Sequence, residues 1–150
     1  GPCELVGGQA DDMAWKQSGS PSLEFLESIH HRKTGSMILA GLRMGAIIGG
    51  ASDYQYAKLE EFGRNYGLAF QITDDLLDWV GDEETTGKRV RKDKSQGKLT
   101  FPTFLGVEES RNQAYEKVKA ACDALDVFKS DGIVYKSIIG MTQTLLDRKK

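Results

Sequence analysis

Between Leu59 and Gly81 the apolar residues Leu59, Phe62, Tyr66, Phe70, Leu76, Leu77 and Val80 recur at the spacing that lines one side of an α-helix. This predicts one long helix capped by Asp53 or Ser52 and stopped at Gly81. The same period returns at Leu23, Leu26 and Ile29, and then at Ile38, Leu39, Leu42 and Ile47. It returns again at Ala114, Val118, Ala121 and Leu125, and at Ile133, Val134, Ile138, Met141, Leu145 and Leu146. No run alternates strictly for long enough to make a strand, so the chain reads as an all-α helical bundle. Ser20-Pro21 marks a helix start, with Pro21 at the first helical position, where its missing N–H goes unneeded. An irregularity is expected at Lys33-Thr34-Gly35. The stretch from Gly81 to Thr100 loses all periodicity and reads as a solvated loop.

The bulk properties leave function to a local site. A chain of 150 residues suits a single globular domain. A net charge of −2 gives no whole-surface attraction to nucleic acid or to an anionic membrane. Cys3 and Cys122 are too few for a disulfide framework and form no CxxC pair, which suits a reducing cytosol and predicts a cytoplasmic protein. The apolar stretch from Met37 to Ile48 is broken by Gly41, Arg43 and Gly45 and falls short of a membrane span of ~20 residues. The chain opens on Gly1-Pro2 without a methionine or a signal peptide, which reads as an expression scar, a cleavage point or the edge of an excised piece.

The chemistry is concentrated in Phe70-Gln71-Ile72-Thr73-Asp74-Asp75-Leu76-Leu77-Asp78, followed by Lys88 and Lys98. On a helix Asp74 and Asp78 are four apart and Asp75 and Asp78 three apart, so three carboxylates can be aimed toward one hard cation. Acidic clusters usually belong to solvated faces. This one is set among Phe70, Ile72, Leu76 and Leu77 and cannot turn wholly to water without exposing aliphatic surface. Magnesium suits it, since that ion takes oxygen ligands and is usually held by one or two carboxylates together with substrate phosphates. The two lysines beyond the helix can meet the same phosphates.

Other motifs fail on inspection. Gly87-Lys88 is no P-loop, because five residues separate it from Gly81 and Arg89 stands where Ser or Thr should be. An EF-hand reading from Asp75 puts Leu77 at a ligand position. His30 and His31 are adjacent, point in different directions and are expected at the surface. The basic loop carries a single aromatic, Phe101, at its far end, which argues against nucleic acid. Gly41, Gly45 and Gly49 share one helix side and are read first as a seam where another helix packs closely, and second as a smooth wall beside a long apolar ligand.

Lys33-Thr34-Gly35, FQITDDLLDWVGD, TTGK and GKLTFPTFLG, in that order, resemble the trans-isoprenyl diphosphate synthases. The likeness runs from Gly8-Gln9 to about Gly106. It implies the C-terminal half of the isoprenoid synthase fold over residues 1–150, with the family's second aspartate-rich motif at Asp74, Asp75 and Asp78 binding Mg2+. That metal would hold the diphosphate of an allylic substrate that is condensed with isopentenyl diphosphate. The resemblance further implies that Lys33, Lys88 and Lys98 contact diphosphate oxygens, with Thr34 nearby, and that Phe70 and Gln71 lie beside the reacting ends of the substrates. Asp74, Asp75, Lys33 and Lys88 are thereby the expected catalytic set. Asp93 falls where the family often has an acid, and Arg91 replaces a frequent glycine. Lys92 and Lys94 lie outside the family motifs. Terpene cyclases share the ionisation step but typically carry a different second metal motif, so chain elongation is the favoured reaction.

Family members are about twice as long and carry a first aspartate-rich motif, an arginine pair and an isopentenyl-binding basic set that these 150 residues lack. The chain is therefore expected to be a fragment of an enzyme that is a homodimer when intact, inactive by itself and exposing an apolar face. The alternative is a noncatalytic diphosphate-binding or regulatory subunit of a heteromeric prenyl synthase.

Overall fold

The computed structural model describes residues 2–14, 22–86 and 99–148. Helix α4 (Asp53–Thr86) is its axis, 34 residues long and therefore about 50 Å from end to end. It begins with a reciprocal cap: Gln55 N–H donates to Ser52 Oγ at 3.3 Å, and the Gln55 side chain accepts from Ser52 N–H at 2.9 Å. Before it come α1 (Pro2–Ala14), α2 (Leu23–His30), a π-helical turn (His31–Gly35) and α3 (Ser36–Ile48). After it come α5 (Phe101–Leu105), α6 (Val107–Ala124), a 3-10 segment (Leu125–Asp131) and α7 (Ile133–Gln143). Every regular element among the described residues is helical, as the periodicity requires. None of the described helices is long and apolar enough to cross a membrane.

Helix α6 packs along α4 through the residues whose period marked it, Ala114, Val118 and Ala121, all buried. One core joins Leu26, Ile72, Leu99, Phe101 and Ala114. A second joins Phe62, Ala121, Ala124 and Leu125, and a third Ala69, Val118 and Leu145. On its other side α4 meets α3, where Arg43 Nε donates to Glu60 Oε1 at 2.6 Å and holds the Glu60 carboxyl below its ordinary range.

Element boundaries depart from the sequence reading in several places. Ser20 and Pro21 lie outside the described residues, and the cap of α2 is Ser22, whose Oγ accepts from Phe25 N–H at 3.2 Å. Helix α4 does not stop at Gly81 but continues to Thr86. Helices α1 and α5 carry no clear apolar period by which the sequence would announce them. The irregularity expected at Lys33-Thr34-Gly35 is present as the π turn, in which Ser36 N–H reaches back to the His31 carbonyl. Such turns insert one extra residue into a helix and occur often at functional sites.

Close helix approach uses other glycines than those foreseen. A Cβ at Gly41 or Gly45 would meet nothing within 4 Å among the described residues, so the expected packing seam is not found there. The reason is the orientation of α3, which buries Leu39 and Ala46 and leaves Met37, Met44, Ile47 and Ile48 exposed. The tight positions are Gly63, where a Cβ would stand 2.6 Å from Leu42 Cδ1, and Gly8, where it would stand 2.7 Å from the backbone nitrogen of Lys33. Lys33 N is backbone and cannot swing aside. Gly8→Ala is therefore expected to push α1 off the π turn and destabilise the chain by about 1–3 kcal/mol. A urea midpoint equal to that of wild type would show that this contact has no such role.

Candidate functional site

The site is built where the π turn crosses α4. A Cβ at Gly67 would lie 3.4 Å from Gly35 Cα, so the two backbones nearly touch, while Leu39 and Leu42 press on Gly63. Rising residue numbers on one rod thus meet falling numbers on the other, and this antiparallel register carries Lys33 and Thr34 toward the Phe70 end of α4. Phe70, Asp74 and Asp78 follow Gly67 on the same side of the helix at steps of three and four. Lys33, Thr34, Phe70 and Asp78 are half-buried there, and Asp74 is exposed. Gln71 is buried at 9% exposure. Asp74 and Asp78 stand one helical turn apart.

Asp75 departs from the expectation that all three carboxylates aim at one cation. Its neighbour in sequence is turned by about 100° on an α-helix, and Asp75 accordingly faces the protein, at 7% exposure. Its Oδ2 accepts from the backbone N–H of Phe101 at 2.9 Å and lies 3.6 Å from His30 Nε2. Among the described residues no group of three His, Cys, Asp or Glu side chains is gathered to hold a metal ion. The other two carboxylates of the motif, Asp74 and Asp78, are hard oxygen donors of the kind magnesium takes.

The Leu99-Thr100-Phe101-Pro102 run explains what Asp75 is for. Thr100 caps the short α5, with Thr103 Oγ1 accepting from Thr100 N–H at 3.2 Å, and Pro102 stands in the first turn where its absent N–H is not missed. The Phe101 N–H remains as a buried orphan donor, and Asp75 satisfies it. His30, expected at the surface, is instead buried at 9% exposure, stacked on the Phe101 ring at 5.7 Å between centroids. Its position four residues after Leu26, on the buried side of α2, was the signal available for this.

Arg148 was not singled out by any motif. Its guanidinium lies 4.9 Å from the centre of the Phe70 ring, and Nη2 is 3.9 Å from Asp74 Oδ1. Lys88 and Lys98 lie outside the described residues, as do Arg91 and Asp93.

Residues 3–134 match the family model for polyprenyl synthetase. The chain belongs to that family. Geranylgeranyl pyrophosphate synthase 4 from Arabidopsis thaliana is 39% identical over 146 residues, which make up 96% of this chain and 39% of the relative. The apo crystal structure of an FPP/GFPP synthase from Zymomonas mobilis superposes with a TM-score of 0.75 at 33% identity, covering 94% of this chain and 45% of that one. A geranyltransferase from Helicobacter pylori, complexed with magnesium and isoprenyl diphosphate, gives a TM-score of 0.67 at 30% identity, covering 95% and 46%. The chain thus spans less than half the length of each of these polyprenyl synthetase relatives.

Proposed function

We propose that this polyprenyl synthetase chain supplies the diphosphate-ionising face of a prenyltransferase that condenses isopentenyl diphosphate with an allylic diphosphate. The observation that carries the reading is the placement of Asp74 and Asp78 one turn apart on the stripe of α4 that the Lys33-bearing π turn crosses. Magnesium bound at these two carboxylates supplies positive charge to a leaving diphosphate. Lys33 adds a cation on the neighbouring rod. When the allylic C–O bond breaks, negative charge gathers on the diphosphate and positive charge on the carbon. Phe70 offers that carbon an aromatic face and no nucleophile. Asp75 acts at one remove, by tying α5 to α4.

The test uses the product of the complete open reading frame that encodes this sequence. With magnesium, geranyl diphosphate and labelled isopentenyl diphosphate, label is expected in a longer prenyl diphosphate. Binding of diphosphate with no label transferred would favour a noncatalytic subunit. An upstream reading frame with a further aspartate-rich motif supports the enzyme, and a start codon at this point counts against it.

A further inference from the structure

We infer that His30 is a positioning residue of the proposed site, whose ring Nε2–H holds the Asp75 carboxylate and so fixes the Lys33-bearing turn against the helix of Asp74 and Asp78. The inference deepens the prenyltransferase reading and rests on it. Three segments meet at this ring. His30 closes α2 and stands three residues before Lys33. Asp75 lies on α4 between Asp74 and Asp78, and Phe101 opens α5 three residues after Lys98 in the sequence. The imidazole stacks on the Phe101 ring at 5.7 Å with 14° between the planes, and its Nε2 faces Asp75 Oδ2 at 3.6 Å.

Packing alone does not call for an imidazole here. The side chains of His30 and Asp75 are only 10% and 9% exposed, and neither ring nitrogen has a hydrogen-bond partner among the described residues. Buried polar atoms left unpaired are unfavourable, so a phenylalanine or leucine would fill the space against Phe101 without that penalty. What favours histidine is the carboxylate in front of it. Asp75 takes a hydrogen bond from Phe101 N–H at 2.9 Å, and a carboxylate can accept about four. Closing from 3.6 Å to the ~2.9 Å of an ordinary N–H···O contact makes Nε2–H a second donor. With donors from two elements, the carboxylate cannot turn toward Asp74 and Asp78 without breaking both contacts. Phe101 N–H by itself ties only α5 to α4, whereas His30 also ties α2, which leads straight into the π turn.

The experiment uses the product of the complete open reading frame, metal-free for spectroscopy and with magnesium, geranyl diphosphate and labelled isopentenyl diphosphate for rates. Long-range proton–nitrogen NMR is expected to place a proton on His30 Nε2. A ring protonated on Nδ1 alone has nothing to donate to Asp75 and overturns the inference whatever the activity. His30→Phe keeps the burial and the stacking but loses the donor. It should raise the magnesium concentration that gives half-maximal rate about tenfold, the usual effect of one lost hydrogen bond to a charged group. His30→Gln, whose amide nitrogen reaches about as far as Nε2, should largely restore wild-type behaviour, and the shorter His30→Asn should not. That last pair keeps the comparison if His30→Phe does not fold. Urea midpoints are read alongside. If the magnesium requirement follows the midpoint and not the donor, or if His30→Phe matches wild type, His30 serves packing alone: the inference falls and the prenyltransferase reading stands. If wild type transfers no label at any magnesium concentration, that reading falls and takes this inference with it.

Discussion

Asp74→Ala is expected to lower the prenyl transfer proposed for the complete protein by on the order of 100-fold or more, the usual penalty for removing a positioned electrostatic group. Losing one of the two carboxylates would misplace a divalent ion held between them. If Lys88 meets the diphosphate as the family resemblance implies, its loss would remove only one of several charges there, so Lys88→Ala should do less harm. Lys92→Ala and Lys94→Ala, outside the family motifs, are expected to stay near wild type. Steady-state rates at saturating magnesium provide the comparison. If Lys92→Ala proved as damaging as Asp74→Ala, the basic stretch would be a general attractor for anions and the assignment of individual residues would fail. Asp75→Asn adds a second contrast. It removes a charge from the same motif, but its amide oxygen can still accept from Phe101 N–H, so folding should survive it.

The largest effect on stability is expected at Phe101. It is 1% exposed, packs with Leu26, Ile72, Leu99 and Ala114, and carries His30 stacked on its ring. Phe101→Ala should destabilise by about 3–5 kcal/mol through lost burial and a residual cavity. That is a large share of the roughly 5–15 kcal/mol by which a domain is usually stable. Asp75→Ala should take about 1–3 kcal/mol, since it strands the buried Phe101 N–H. Urea unfolding of the two single variants and the double variant will show whether they act as one unit. Independent, additive losses would mean that the hydrogen bond at 2.9 Å does not help to seat the ring.

Much of the fold is legible in the order of residues because an α-helix is a local structure. The period of Ala114, Val118 and Ala121 names the buried side of α6, and all three are buried as the spacing requires. The KTG break is legible as well, since three small or polar residues interrupt an apolar period, and a π turn stands there. Helix α5 is not legible. Its five residues are too few to show a period, and its fixed points are a proline, a threonine cap and a carboxylate 26 residues earlier in the chain.

By itself the sequence determined the helical class and the family, because periodicity and motif spacing are properties of neighbouring residues. Only the tertiary structure decided which of three adjacent-looking aspartates faces outward. Asp74 and Asp78 lie on the stripe that Gly67 opens to the π turn, whereas Asp75, one step round the helix, is taken by Phe101 N–H. The same holds for His30, buried by an aromatic ring from α5, and for Arg148, brought to Phe70 by the turn after α7. Spacing along one helix sets the angle between side chains, and the direction of solvent is set by the other helices that pack around it.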